Sequence, residues 1–321
     1  MTERAPHRCG TIAIIGRPNV GKSTLLNRFL GEKIAIVSPK PETTRERILG
    51  ILTLKNAQVL FLDTPGIYQG PATLLARHQV QAAREALVQA DLILLMTEAQ
   101  AGITDQDKNI LRLLPKGGSF PVFLAINKVD RVNKSLLLPQ IDEAARLYPF
   151  KEIIPISASK GINMDDLLSA MVAHLPEGPA HYPADQLTDR PIREQVQELI
   201  REKTLLMTHE EIPHSVGVLV EEWRAGKPKE QKNPGGVAAQ EQPSHPSTYI
   251  RATLYVERNS QKGILIGKGG GLLKKVGQIA RPEIEKMVGG VVFLDLWVKV
   301  AKNWRKDPVM LKKLGYVKRV G

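Results

Sequence analysis

A single cysteine, Cys9, is all that the 321 residues contain. An internal disulfide and a cysteine-rich zinc site are therefore excluded. The seven histidines are not spaced as metal ligands, and no apolar run approaches the length that crosses a bilayer. Met1–Gly10 lacks the apolar core of an export signal, so the expected setting is reducing and cytoplasmic. The remainder, 42% hydrophobic and 24% charged, has the composition of a globular protein long enough for two domains. Acidic residues are scarce in its last fifth. Residues 257–321 hold 15 Lys and Arg against 5 Asp and Glu, a surplus of ten within a net charge of +12. A surplus that local acids do not balance implies an anionic partner, with nucleic acid first and a membrane surface second.

The most specific signal lies near the start. Gly16-Arg17-Pro18-Asn19-Val20-Gly21-Lys22-Ser23 is a complete phosphate-binding loop, preceded by the strand-like Ile12–Ile15 and followed by the helix-like run from Thr24. Glycines let the backbone wrap an anion, and the N–H groups opening the helix point at phosphates. Lys22 is expected on the β- and γ-phosphates and the Ser23 hydroxyl on Mg²⁺. Asn19 either serves the turn geometry or helps place a K⁺ ion beside the phosphates.

Asn127-Lys128-Val129-Asp130 follows another strand-like run. The Asp130 carboxylate can accept from the guanine N1–H and exocyclic amine, donors that adenine lacks in that place. Asn127 would steady the loop and the purine, with the Lys128 stem over the ring. Ser157-Ala158-Ser159 follows Ile153–Ile156, and the Ala158 N–H is expected on the guanine O6. Guanine points to GTP and GDP as the nucleotides.

Asp63-Thr64-Pro65-Gly66 closes a further strand-like run. Asp63 is placed to hold Mg²⁺ through water and the Gly66 N–H to meet the γ-phosphate. Upstream, one of two threonines should close on the metal; Thr44 is favoured and Thr43 stands second. Lys22, Thr44 and Gly66 form the expected catalytic set, and Ser23, Thr44 and Asp63 the metal set. Ile67, after Gly66, cannot orient a water. Intrinsic hydrolysis should therefore be slow, and a static sensor with negligible turnover is the competing reading.

Strand-like segments at 11–15, 46–54, 57–62, 91–97, 120–126 and 152–156 alternate with helix-like ones at 22–30, 73–90, 105–115, 135–148 and 163–175. The fold expected is α/β, a P-loop (Ras-like) GTPase domain over 1–176. A proline-rich linker over 177–185 follows, then a smaller α+β domain over 186–321. In that second part Gly267-Lys268-Gly269-Gly270 is a GxxG turn. It lies in a helix–strand–strand–helix–helix–strand order, with helices at 193–206 and 271–288 and strands at 248–257 and 291–300. This is the type II KH arrangement, whose glycine turn clamps a single strand. Lys262, Lys268, Lys274 and Lys275 would meet phosphates and Ile264 and Ile266 unstacked bases. Trp304, Arg305, Lys312 and Lys313 are read as further nucleotide contacts.

The motifs GRPNVGKS, TTRERI, DTPG, NKVD and SAS, with HSVGVLVEEW, YIRATLYVER, IGKGG, FLDLWVKV and LGYV behind them, resemble the Era family of bacterial GTPases along nearly the whole chain. The resemblance implies a monomeric, peripherally membrane-associated protein, on the cytoplasmic face of the inner membrane. It also implies that the KH domain binds the 3′ end of 16S-type ribosomal RNA during maturation of the 30S subunit, with GTP favouring the RNA-bound state. Residues 226–247 form a longer polar loop than the family shows, expected to be disordered. A tRNA-modifying relative would need a catalytic cysteine near the C-terminus, and a tandem GTPase would need a second P-loop; neither is present.

Overall fold

The computed structural model describes residues 7–38, 40, 43–45, 47–66, 74–114, 120–208, 212–225 and 247–316. Ile67 and all but the last residue of the 226–247 loop lie outside them. The chain forms two compact units, Met1–Arg190 and Pro191–Gly321.

In the first unit, six strands are ordered β2-β3-β1-β4-β5-β6: β1 (Arg8–Ile15), β2 (Ile48–Leu54), β3 (Ala57–Asp63), β4 (Leu92–Glu98), β5 (Val122–Asn127) and β6 (Glu152–Pro155). All pairs are parallel except β2 with β3. A parallel sheet is covered on both faces, so its strands read as continuous apolar runs rather than as alternation. Ile12 and Ile14 of β1 enter one apolar cluster with Leu25, Leu26, Leu167 and Met171, from α1 (Lys22–Leu30) and α5 (Met164–Ala173). Ala13 and Ile15 enter the other, with side chains from α2 (Leu74–Gln89), α3 (Asp105–Leu111) and α4 (Leu137–Leu147). The α3 start is fixed by a capping box, in which Thr104 accepts from the Asp107 N–H and Asp107 accepts from the Thr104 N–H.

The proline-rich stretch read as a linker is hydrogen-bonded to this unit. Gly178 N donates to His7 O at 3.0 Å. The buried Gln58 carboxamide donates to Tyr182 O and accepts from the His181 and Tyr182 N–H groups. Further on, Ile51 N donates to Leu187 O at 2.8 Å. Proline-rich composition lowers helix content but does not keep a strand of chain from lying along a sheet edge.

The second unit begins with α6 (Ile192–Met207) and a short α7 (Ile212–Ser215), followed by β7 (Gly217–Ala225), β8 (Thr248–Val256), α8 (Asn259–Ile266), α9 (Gly271–Val288), β9 (Val292–Val300) and α10 (Pro308–Lys313). Its sheet is ordered β7-β8-β9, with β7 antiparallel and β9 parallel to β8. Helices α6 and α9 pack on each other and on this sheet, burying Val196, Ile200, Val276, Ala280 and Ile284. The helix–strand–strand–helix–helix–strand order is the one expected.

Trp304 and Arg305 depart from expectation. Trp304 is fully buried, donates its indole N–H to Ser215 O at 2.8 Å and stacks on Tyr316. Arg305 pairs with Glu257 at 2.6 Å. A tryptophan among lysines reads as a base-stacking residue in sequence, but here it closes the core. Trp304→Ala should destabilise the second unit by about 3–5 kcal/mol. Denaturant unfolding will show this, with nucleotide binding by the first unit retained; unchanged stability would contradict the core role.

Candidate nucleotide site and nucleic-acid groove

The nucleotide motifs meet at the C-terminal ends of β1, β3 and β5 and just past β6. A cavity of about 440 Å³ there is lined by Asn19, Gly21, Lys22, Ser23, Thr24, Thr43, Thr44, Gly66 and Lys128. Gly21 has φ 105°, and a Cβ on it would lie 2.3 Å from Asn127 Nδ2. Only glycine fits that approach. Asn19 is left-handed at φ 64°, a conformation asparagine tolerates better than most residues, which supports the turn-geometry reading.

Lys22 is buried, with Nζ donating to Gly16 O and Arg17 O, both at 3.0 Å. Ser23 Oγ donates to Asp63 Oδ2 at 2.8 Å and lies 3.0 Å from Thr44 Oγ1. The three expected metal ligands thus converge. Thr43 Oγ1 instead donates to Lys40 O at 2.6 Å, so geometry separates the two threonines. Asp63 Oδ1 is buried and accepts no hydrogen bond among the described residues. Two hydroxyls beside one orphaned carboxylate oxygen suit a hard divalent cation that takes its remaining ligands from phosphate and water. Thr64 Oγ1 donates to Ile14 O, a packing role, and Gly66 lies against Pro18.

Asn127 binds the loops to one another. Its Nδ2 donates to Val20 O at 2.7 Å and its Oδ1 accepts from Ala158 N at 3.0 Å. The Ala158 N–H expected on guanine O6 is therefore engaged with Asn127. Asp130 accepts from Ser157 Oγ at 2.6 Å, which holds its carboxyl below the usual range. Ser159 Oγ lies 3.4 Å from Ser157 Oγ. Lys128 Nζ pairs with Glu98 at 3.1 Å, and Glu98 also faces Arg17, which in turn contacts the buried Asp107. Glu98, Asp107, Arg131 and the Ile36–Ser38 wall of the cavity were not foreseen. Only their spacing from motif residues distinguishes them in sequence.

In the second unit, α8 ends at Gly267, with φ 71°, where a Cβ would lie 2.9 Å from Leu272. Gly269 and Gly270 are also left-handed. This turn opens a groove of about 460 Å³ between α9 and β9, lined by Gly270, Leu273, Lys274, Arg281, Phe293 and Leu296 among others. Of the expected RNA residues, Gly270 and Lys274 line it. Lys268 and Gly269 stand exposed on the turn, Ile264 is 54% exposed, Ile266 and Lys262 are half-buried and Lys275 is exposed outside the groove. The β9 side of the groove was missed because its apolar residues read as core.

A family profile described as 50S ribosome-binding GTPase matches residues 11–128, and a KH-domain profile matches 240–305. Along the whole length, the chain is similar to an Era structure described as a complex with MgGDPNP and nucleotides 1506–1542 of 16S ribosomal RNA. Identity is 40% over 97% of this chain and 100% of that one, with TM-score 0.89. The chain belongs to the Era family of GTPases. A point variant of Aquifex aeolicus Era bound to GDP·AlF4⁻ matches equally well, at 40% identity over 97% and 100% of the two chains, with TM-score 0.88.

For an Era GTPase, the charge state of this site is decisive. Burial lowers Lys22 to about 8, opposed by Asp63 and assisted by Arg17. Burial raises Asp63 to about 6, opposed by Lys22 and by the Ser23 hydrogen bond. Both groups are charged between about pH 6 and 8, so Mg²⁺–nucleotide affinity should fall on either side of that window. Stability of the nucleotide-free protein runs the other way. Folded Asp63 keeps its proton to higher pH than the unfolded chain, so stability falls as pH rises from about 4 to 6. Folded Lys22 loses its proton first, so stability rises again above about 8. Nucleotide titrations and thermal unfolding across pH 4–10 will test both signs. Asp63→Asn should abolish the acid flank; its persistence would remove Asp63 as the cause.

Replacing Asp130 by Asn reverses one hydrogen-bond direction. Preference for guanine over xanthine nucleotides should drop at least about a hundredfold, two charge-assisted bonds being worth roughly 1.5–3 kcal/mol each. Competition binding with both nucleotides measures it, and unchanged selectivity would overturn the guanine assignment.

Proposed function

We propose that this chain is a GTP-hydrolysing switch that binds small-subunit ribosomal RNA near its 3′ end and acts in maturation of that subunit. The reading is carried by one conjunction, a nucleotide site in the first unit and a basic glycine-turn groove in the second. An Era with the same two parts forms a complex with 16S ribosomal RNA nucleotides.

The nucleotide-binding part runs through Arg190 and the RNA-binding part from Pro191. Lys22 binds the β- and γ-phosphates together with the N–H groups that open α1, and Asp130 reads the guanine edge. Ser23, Thr44 and Asp63 would hold Mg²⁺, which supplies charge to neutralise the phosphates. Thr44 and Gly66 sense the γ-phosphate, so ordering of their segments separates the GTP and GDP states. Asn19 serves the turn of the phosphate loop; a faster turnover in K⁺ than in Na⁺ would instead favour the competing reading, in which it helps place K⁺. At the glycine turn and the groove beside it, Lys268, Gly269 and Gly270 take the RNA backbone while Ile264 and Ile266 meet bases, with Lys274 in the groove and Lys262, Gly267 and Lys275 flanking it.

Among the described residues no helix is long and apolar enough to cross a membrane. The proposal places the protein in the cytoplasm, with peripheral contact at the cytoplasmic face of the inner membrane.

Binding of a 3′-terminal small-subunit RNA oligonucleotide should be tighter with a non-hydrolysable GTP analogue than with GDP, and should weaken steeply with salt. Equal affinity in both states would leave two modules without a switch. Gly269→Asp should abolish RNA binding at unchanged GTP affinity, because it sets a carboxylate against the RNA backbone.

A further inference from the structure

Along β9, Val292 and Val298 are buried beneath the helices, Leu294 and Leu296 line the groove, and Phe293, Asp295, Trp297 and Lys299 take the opposite face. Polar residues would satisfy those outward positions, yet Phe293 is 67% and Trp297 52% exposed. Their surroundings are ordered. Asp295 accepts from Tyr249 Oη at 2.8 Å and from Arg251 Nε at 3.0 Å. The Tyr249 and Phe293 rings stack at 5.7 Å and 15°. The Arg251 guanidinium lies 5.7 Å from the Tyr249 ring and 5.9 Å from that of Trp297, and donates to Glu222 at 2.7 Å.

Two carboxylates neutralise Arg251, so the patch is not a phosphate site. It is a set of rings and a planar cation fixed before any partner arrives, and π faces of this kind take unpaired bases without sequence preference. Pre-fixing the rings lowers the entropy lost on stacking. Its place in the fold supplies the partner. β9 is an edge strand of the sheet, and Phe293 stands where the two faces meet, its ring stacked on Tyr249 of the outer face while it borders the groove beside Gly270 and Lys274. A strand leaving that groove over the β9 edge meets Phe293 first and Trp297 next.

We infer that the outer face of β8 and β9 is a stacking platform for unpaired bases of the same RNA strand that the glycine-turn groove holds, with Phe293 and Trp297 taking the bases. The inference rests on the RNA-binding reading of that groove and extends its site onto a second face.

The test uses the full chain with a GTP analogue and two sets of single-stranded RNA. One set is about four nucleotides long and fills the groove alone; the other is extended at its 5′ or 3′ end. Extension at one end should raise affinity. Trp297→Ala should then cost about tenfold for the extended RNA and nothing for the short one, while Trp297→Phe keeps most of the gain. The Trp297 emission, taken as the difference from Trp297→Phe, should be quenched by the extended RNA only. Equal binding of the extended RNA by Trp297→Ala, with unquenched emission, overturns the proposal and leaves the platform to a protein partner. Retention of short-RNA binding by Gly269→Asp would instead overturn the groove reading, and the proposal with it.

Discussion

One carboxamide holds the nucleotide site in register. Asn127 donates to the phosphate loop at Val20 and accepts from the Ala158 N–H, so three loops from distant parts of the sequence share a single buried group. The packing is close enough that the neighbouring position in the phosphate loop admits no side chain at all. A buried amide that lost either partner would leave a polar group unsatisfied, so the loops stay together or the site opens as a whole. The distance between the phosphate end and the base end is thereby set before a nucleotide arrives.

Apart from the orphaned Asp63 Oδ1, the phosphate and cation groups of the site are also partnered internally. Lys22 closes onto carbonyls of its own loop, and Ser23 joins Asp63 to Thr44. These are the groups that phosphate and cation would engage, so binding exchanges internal hydrogen bonds for bonds to the ligand. For Lys22, Ser23 and Asp63, already gathered in one place, the gain on binding is electrostatic.

The fold was legible in sequence wherever the chain obeys a strong period or a rigid spacing. The phosphate loop, the α/β alternation and the KH order were all read from such patterns, and helix α9 begins and ends where expected. Legibility failed where a residue type has two physical uses. Trp304 serves the core, although a tryptophan in a basic segment equally suits base stacking; Phe293 and Trp297, which read as strand residues, are the exposed aromatics. Thr43 and Thr44 are chemically identical, and it is the structure that distinguishes them, Thr43 bonding to Lys40 O and Thr44 meeting Ser23 Oγ. Arg17, Glu98, Asp107 and Lys128 form their ion-pair network across a fold that no local window contains.

The stretch from Pro176 to Leu187 has a consequence for how the first unit can be handled. β2 is one of the two edge strands of its sheet, and edge strands present unpaired backbone groups to other chains. Here the edge is partly covered from within, because Ile51 donates to Leu187 and Gln58 of the adjacent β3 fixes residues 181 and 182. A fragment cut at residue 176 would keep every nucleotide motif while baring that edge and removing three of the four hydrogen bonds of the Gln58 carboxamide. Such a fragment is prone to strand exchange and self-association, whereas one ending at Arg190 carries its own cover.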